Sequence, residues 1–163
     1  MLKEHKTRVL PLYSQLAPDK QYRVFEEASD DARMIVLATN VAETSLTIPG
    51  VRYVIDCGKS KEKIFDDRLS MSSFAVQWVS KASAEQRAGR AGRTGPGHCY
   101  RLYSAALFGK LANYSKPEIL RSPLNQTLLQ LKALGIDNIL QFPFVTMPPV
   151  ASIKSSLKQL ALL

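Results

Sequence analysis

The sequence predicts an α/β domain built on a parallel sheet, followed by a mainly helical segment. Two observations carry this prediction. In the first part of the chain, short apolar runs that are typical of strands buried on both faces alternate with helical patterns. After Tyr103 the alternation stops, and leucines recur at helical spacing from Leu124 to Leu134 between breaks that contain proline. We therefore expect two domains, 1–104 and 105–163.

Local patterns place the elements in chain order. Arg8–Ser14 indicates a strand that runs into a turn, and Pro18–Ala28 indicates a helix with a proline in its first turn. Further strands are expected at Arg33–Thr39, Val51–Gly58 and His98–Tyr103, with a β-hairpin at Lys63–Ser80. In the second domain, helices are expected at Ala105–Tyr114, Pro123–Leu134 and Val150–Leu163.

The net charge of +8 lies entirely in Val79–Leu163, where 11 basic residues accompany 3 acidic ones. This asymmetry is compatible with a polyanionic partner such as RNA and equally with a basic, well-solvated surface. No apolar run is long enough to cross a bilayer, so we expect no membrane partner. Cys57 and Cys99 have no metal-binding spacing, which predicts two reduced thiols and no metal site.

The stretch EQRAGRAGR, Glu85–Arg93, is the densest cationic motif of the chain. Ser83 is expected to cap a short helix, with Gln86 at its third position and Gly92 just past its end. Capping by a serine with a glutamine three residues later is a common signature of a helix start.

Helical spacing then decides which side chains of this motif share a face. Positions i, i+4 and i+7 line up, so Gln86, Arg90 and Arg93 should converge while Arg87 points elsewhere. Gly89 lies on the shared face and would let a ligand approach closely. Guanidinium groups are permanent, planar donors that suit a triphosphate. The motif alone leaves open a simple basic surface helix.

A second motif follows the strand predicted at Arg33–Thr39. ATNVAETSLTI, residues 38–48, places hydroxyl and amide groups at the end of a strand, where α/β sheets bind their ligands. Together with QRAGRAGR it resembles motifs V and VI of superfamily 2 helicases, and its ETS form resembles that of the DEAH-box RNA helicases. LPLYSQL (Leu10–Leu16) is similar to motif IVa of that family, and PEILRSPL (Pro117–Leu124) is similar to the start of its winged-helix region.

The resemblance implies the second of two RecA-like domains, with ATP and Mg²⁺ bound between them and the Mg²⁺ ligands on the first domain. Arg90 and Arg93 would be arginine fingers on the γ-phosphate, and Gln86 would also face the phosphates. Ser45 would sense the nucleotide. Phe25 would stack on adenine, with a core position in an amphipathic helix as its alternative.

The resemblance also implies RNA binding. Thr39 and Asn40, together with Ser14, would contact the backbone of single-stranded RNA, so binding would be independent of base sequence. The hairpin resembles one that helps to separate strands. The other implied partners are the first RecA-like domain and a glycine-rich G-patch protein.

The sequence contains no G-x-x-x-x-G-K-[ST] motif and no D-E-A-H motif. The GKS of Gly58–Ser60 is not a P-loop, because its first glycine would fall at Tyr53. We therefore expect the motor half of a helicase that is inactive alone. The alternatives are a non-catalytic RNA- or partner-binding module and a viral-type superfamily 2 helicase. CGK and QWVSKAS (Cys57–Lys59, Gln77–Ser83) resemble the ribosome-biogenesis branch, which implies the nucleus or nucleolus, with the cytoplasm otherwise.

Overall fold

The computed structural model describes residues 6–26, 32–44, 46–66 and 71–162. Its strands are β1 (Lys6–Leu12), β2 (Ala32–Ala38), β3 (Tyr53–Asp56), β4 (Lys59–Asp66), β5 (Met71–Trp78) and β6 (His98–Arg101). Its helices are α1 (Pro18–Tyr22), α2 (Val41–Thr44), α3 (Lys81–Gly89), α4 (Ala105–Lys110), α5 (Asn125–Ala133) and α6 (Val150–Leu160). Short 3₁₀ turns cover Arg23–Phe25, Glu118–Leu120 and Ile139–Gln141.

The chain divides into two compact units. The first comprises Met1–Ser60 and Trp78–Ser115, and the second comprises Lys61–Gln77 and Lys116–Leu163. The second unit thus combines most of the β4–β5 hairpin with the C-terminal helices, a grouping that the sequence patterns do not indicate.

The parallel pairing predicted for the first unit is confirmed. β1 runs parallel to β2, with Lys6 opposite Ala32 and Leu12 opposite Ala38. β3 runs parallel to β6, with Tyr53 opposite His98. The carboxyl ends of β1 and β2 therefore meet at one edge, which places the residues that follow them side by side.

The prediction that β2 is buried on both faces is wrong. Its side chains alternate, and Ile35 and Leu37 are 42% and 64% exposed. The other face packs on a core of Leu10, Leu12 and Val24. Successive side chains of a strand point to opposite faces, so a continuous apolar run shows only that both faces are apolar. It does not show whether another part of the structure covers each face.

Two helix predictions need correction. The helix expected at Pro18–Ala28 ends at Tyr22 and continues as a 3₁₀ turn to Phe25, and its last two predicted residues lie outside the described ranges. α3 begins at Lys81, because the side chain of Ser80 accepts the N–H of Ser83 at 3.1 Å. Ser83 is therefore not the N-cap but the third residue of the helix.

The predicted stop at Gly92 is also wrong. α3 ends at Gly89, and Arg90 keeps right-handed helical angles. Gly92 is not among the glycines with positive φ in the described residues, which are Gly50, Gly58, Gly95 and Gly135. The helix therefore ends without a left-handed glycine.

In the second unit, α5 and α6 pack around a core of Leu124, Leu128, Leu131, Ile139 and Ile153. The leucine stripe is confirmed except at Leu134, which is 76% exposed because the helix ends there in a turn through Gly135. Across the described ranges, every helix is too short or too polar to span a membrane.

Candidate functional site

A pocket of about 330 Å³ in the first unit collects the side chains that helical spacing had grouped. It is lined by residues of α2, of α3 and of the turn after α3: Glu43, Thr44, Gln86, Gly89, Arg90 and Arg93. Gln86, Arg90 and Arg93 thus share one face, as predicted, although the helix begins and ends earlier than expected. Arg93 lies beyond the helix, after a turn in which the Gly92 N–H donates to the Gly89 carbonyl at 3.3 Å.

The segment after β2 holds both pocket arginines. Arg90 donates from Nη1 to the carbonyl oxygen of Leu46 at 2.8 Å and from Nη2 to that of Glu43. Arg93 donates from Nη1 to the Thr47 hydroxyl. Because a guanidinium carries five N–H groups, these bonds fix the side chains and leave further donors for a ligand.

The charge distribution of the pocket favours an anion. Burial lowers the pKa of Arg90, the positive charge of Arg93 lowers it further, and Glu43 opposes both effects. A guanidinium whose charge is disfavoured by burial and by a neighbouring guanidinium is stabilised by an anion that binds beside it. The pocket is therefore suited electrostatically to phosphate.

Gly89 leaves open space in the wall of this pocket. Apart from its chain neighbours and the backbone of its own helix, no atom lies within 4 Å of the position that a Cβ on Gly89 would take. Local packing therefore does not require glycine there, and glycine in a helix costs up to ~1 kcal/mol relative to alanine. The missing side chain gives a ligand access to the helix backbone beside Arg90.

Arg87 points away from the pocket into a charged network. Its Nε lies 3.0 Å from Oε2 of Glu43, and its Nη1 lies 2.9 Å from Oδ1 of Asp56. Asp56 is only 2% exposed, and it also accepts the Gly58 N–H and the Tyr103 hydroxyl, each at 2.9 Å. The network joins α2, α3, β3 and the residues after β6.

Sequence reasoning missed this network. The only hint in the sequence is that Asp56 ends an apolar strand. The hydrophobic pattern does not show which residue pairs with this aspartate. Burial alone would raise the pKa of Asp56, but hydrogen bonds from Gly58, Arg87 and Tyr103 hold it below its ordinary value. Burial and the bond to Asp56 raise the pKa of Tyr103 to about 12.

The raised pKa of Tyr103 predicts a loss of stability in alkali. The ordinary value is 10.0 and the folded value about 12, so the stabilisation is complete below pH 10 and is lost as pH rises towards 12. Tyr103→Phe should cost about 1–2 kcal/mol of unfolding free energy at about pH 9, because it removes a hydrogen bond to a carboxylate. We expect the gap between wild type and Tyr103→Phe to shrink as pH rises to about 12.

Chemical denaturation across this pH range measures that gap. Tyr114→Phe is the matched control, because Tyr114 is 79% exposed. Its difference from wild type should stay constant with pH. An equally constant gap for Tyr103→Phe would contradict the assignment of the titration to Tyr103.

Two other residues that were predicted to contact the nucleotide, Phe25 and Ser45, are not among the residues that line this pocket in the described part of the chain. Phe25 lies in the 3₁₀ turn after α1 and packs against the Leu10–Leu12–Val24 core, with its ring centroid 6.3 Å from that of Tyr22. Phe25 is only partly buried in that cluster. Ser45 lies outside the described residues.

The predicted RNA-contacting residues lie at the carboxyl-terminal edge of β1 and β2. Thr39 and Asn40 directly follow β2, Ser14 lies in the turn after β1, and all three are exposed. The Thr39 N–H donates to the Leu12 carbonyl at 3.0 Å, which extends the strand pairing to this edge. Hydroxyl and amide groups from two neighbouring strands are thus presented together.

The fold defines the class of protein: a parallel α/β domain of the RecA-like helicase type. Residues 1–95 match the helicase conserved C-terminal domain, and the chain belongs to that family. The resemblance to DEAH-box RNA helicases is confirmed by relatives and solved structures alike.

Among its relatives, the chain is 57% identical over 145 residues to the probable ATP-dependent RNA helicase DHX37 of Homo sapiens, covering 89% of this chain and 12% of that protein. It is 55% identical over 153 residues to the probable ATP-dependent RNA helicase DHR1 of Saccharomyces cerevisiae, covering 93% and 12%. The crystal structure of Escherichia coli DEAH/RHA helicase HrpB superimposes with a TM-score of 0.89 at 38% identity, over 96% of this chain and 20% of that one. The chain thus spans about an eighth of the length of these curated relatives.

Proposed function

We propose that this segment is the C-terminal motor half of a DEAH-box RNA helicase, which couples ATP hydrolysis to RNA translocation, unwinding and the remodelling of RNA–protein complexes. The observation that carries the proposal is the pocket in which Gln86, Arg90 and Arg93 converge beside the open space at Gly89. Arg90 and Arg93 act as arginine fingers that stabilise charge on the γ-phosphate, and Gln86 faces the same phosphates. An arginine finger contributes ~10³–10⁵ in rate in other nucleotidases.

The donor set of this chain fits part of a nucleotide site. It offers guanidinium and amide donors to phosphate, whereas the Walker A and DEAH motifs that hold phosphates and Mg²⁺ in this family are absent from the sequence. ATP is therefore shared with the first RecA-like domain, which supplies the Mg²⁺ ligands. Ser45 senses the nucleotide state, and Phe25 contacts adenine from the margin of its core cluster.

The RNA-binding part of the proposal is supported by the polar edge at Ser14, Thr39 and Asn40. Hydroxyl and amide groups bind the sugar–phosphate backbone, so the bases are not read. The β4–β5 hairpin offers a second contact, where Lys61 lies 5.2 Å from the ring centroid of Phe74, which is 65% exposed. Cations beside exposed aromatic rings are the common arrangement for binding single strands.

A non-catalytic RNA- or partner-binding module is the second candidate, favoured by the absence of the phosphate-cradling motif. In either case the partners include the first RecA-like domain, and a G-patch protein is a further candidate. The CGK and QWVSKAS stretches favour the ribosome-biogenesis branch and a nuclear or nucleolar location.

The 163-residue chain alone should show no ATP hydrolysis above background. Two fingers without a phosphate cradle and metal ligands stabilise only one side of the reacting group. Hydrolysis of ATP by the purified chain and by its Arg90→Ala variant is the measurement, and both should match a protein-free control. Robust turnover that Arg90→Ala abolishes would overturn this expectation.

Binding to single-stranded RNA should be weak, tolerant of sequence and steeply dependent on salt. Each neutralised phosphate contributes about −0.7 to the slope of log affinity against log salt. Thr39→Ala should weaken binding to oligonucleotides of different sequence by the same factor. Thr127→Ala, in α5, is the control. A zero salt slope, or a loss confined to one sequence, would contradict backbone contacts.

A further inference from the structure

We propose that Arg87 is a positioning residue for the finger Arg90 and acts through Glu43. The inference rests on the proposed function and deepens it, because it assigns a role to the one arginine of Glu85–Arg93 that does not line the pocket. In this role Arg87 does not contact the nucleotide. It fixes the position of Glu43, whose main-chain carbonyl accepts a hydrogen bond from Arg90.

Arg87 holds the carboxylate of Glu43 in an ion pair. The two side chains are 14% and 10% exposed, so their ion pair is largely shielded from solvent. The opposite end of the guanidinium is fixed by Asp56, whose side chain is 1% exposed, and by the Lys59 carbonyl at 3.2 Å. Since Asp56 ends β3, Arg87 ties Glu43 to the sheet.

Glu43 in turn binds Arg90 through a main-chain hydrogen bond. The main-chain carbonyl of Glu43 accepts a hydrogen bond from Nη2 of Arg90, while its carboxylate is the group that Arg87 holds. α2 contains only four residues, Val41–Thr44, and so short a helix does not fix its own orientation. Val41 and Ala42 pack the start of α2 on the core of Leu10, Leu12 and Val24, and the ion pair with Arg87 anchors its other end at Glu43, whose carbonyl binds Arg90.

Position 87 requires arginine because one side chain must bind two carboxylates at once. Arg87 uses two different nitrogen atoms, Nε for Glu43 and Nη1 for Asp56, and their spacing is fixed by the planar guanidinium. A lysine ammonium is a point charge on a flexible stem and cannot hold both carboxylates in the same geometry. A small displacement of a catalytic group that acts on the transition state costs rate rather than substrate affinity.

A second ion pair of α3 provides a matched comparison. Glu85 pairs with Arg101 at 2.7 Å and so also ties α3 to the sheet, through β6. This pair makes none of the described contacts with the segment from Glu43 to Thr47. If Arg87 only anchored α3, the loss of either pair would lower the melting temperature and leave kcat unchanged, with the smaller shift for the more exposed Glu85–Arg101 pair.

The test uses a full-length helicase that carries this segment, with single-stranded RNA present. ATPase kinetics and thermal melts are measured for Arg87→Lys, Glu85→Gln, Arg90→Ala and the double variant Arg87→Lys/Arg90→Ala. We expect Arg87→Lys to lower kcat about 10-fold while KM for ATP changes less than about 3-fold. Glu85→Gln should leave kcat within about 2-fold of wild type. The double variant should be no slower than Arg90→Ala alone, because a finger that is absent needs no positioning.

Asp56→Asn is the second variant, because it weakens the anchor of Arg87 from the side away from the pocket and preserves side-chain shape. It decides the matter if Arg87→Lys does not fold, and it should also lower kcat with little change in KM. Unchanged kcat in the folded Arg87 or Asp56 variants, beside a crippled Arg90→Ala, would overturn this inference alone. Full turnover by Arg90→Ala would instead overturn the proposed function on which it rests.

Discussion

Arg90→Lys should lower the turnover number for ATP at least ~100-fold in a full-length helicase that carries this segment, the scale for removing one preorganised charge stabiliser. The guanidinium of Arg90 is held by the carbonyls of Glu43 and Leu46 and lines the pocket beside Gln86. A lysine keeps the charge but cannot keep two such bonds and also donate to phosphate. The affinity for ATP should fall much less, because a finger acts mainly on charge that develops in the transition state.

ATPase kinetics at saturating RNA, with a direct measurement of nucleotide binding, separate these two effects. Arg101→Lys is the matched control: Arg101 pairs with Glu85 and lies 4.3 Å from the ring centroid of Phe108, and it does not line the pocket. It should retain turnover. Near-normal turnover by Arg90→Lys would show that the finger is misassigned, and a loss of ATP affinity as large as the loss of turnover would show a binding role instead.

The convergence of the pocket residues could be predicted because it depends on one short segment. Helical spacing fixes that Gln86 and Arg90 share a face, and an error of three residues in the helix start leaves that relation unchanged. The same error shows the limit of local patterns. Ser80 and Ser83 are equally good capping residues, and the structure selects Ser80, whose hydroxyl also accepts a hydrogen bond from Ser115, 35 positions away.

The Arg87 network could not be predicted, because local sequence patterns do not show contacts between distant segments. Its four ionisable members, Glu43, Asp56, Arg87 and Tyr103, come from four separate segments, and only the tertiary fold brings them together. Sequence spacing correctly excluded Arg87 from the pocket but could not say where it goes. The exposure of Ile35 and Leu37 has a related cause, since an apolar pattern records what a strand can bury and not what covers it.

Gly97→Ala should destabilise the protein by about 2–3 kcal/mol, the upper range for forcing an added methyl group into packed structure. A Cβ on Gly97 would lie 2.6 Å from the carbonyl oxygen of Arg52 and closer still to that of Ala91. Both atoms are main chain, so neither can rotate away. The Arg52 carbonyl also accepts the N–H of His98 at 2.8 Å, directly beside the point where β6 pairs with β3. The added methyl group must therefore disturb the strand pairing or move Ala91.

Chemical denaturation of wild type and variant measures this change, with Gly109→Ala as the matched control. Apart from its chain neighbours and the backbone of α4, no atom lies within 4 Å of a Cβ on Gly109, so alanine at this helical position should stabilise by up to ~1 kcal/mol. The opposite signs of two identical substitutions make the test specific to close packing. Because Ala91 is 2% exposed and sits between Arg90 and Arg93, its displacement should also reach the pocket, and Gly97→Ala should lower turnover in the full-length enzyme under conditions where it remains folded. A Gly97→Ala protein as stable as wild type would show that the Ala91 and Arg52 carbonyls can yield, and that the path from the fingers to β6 is not closely packed.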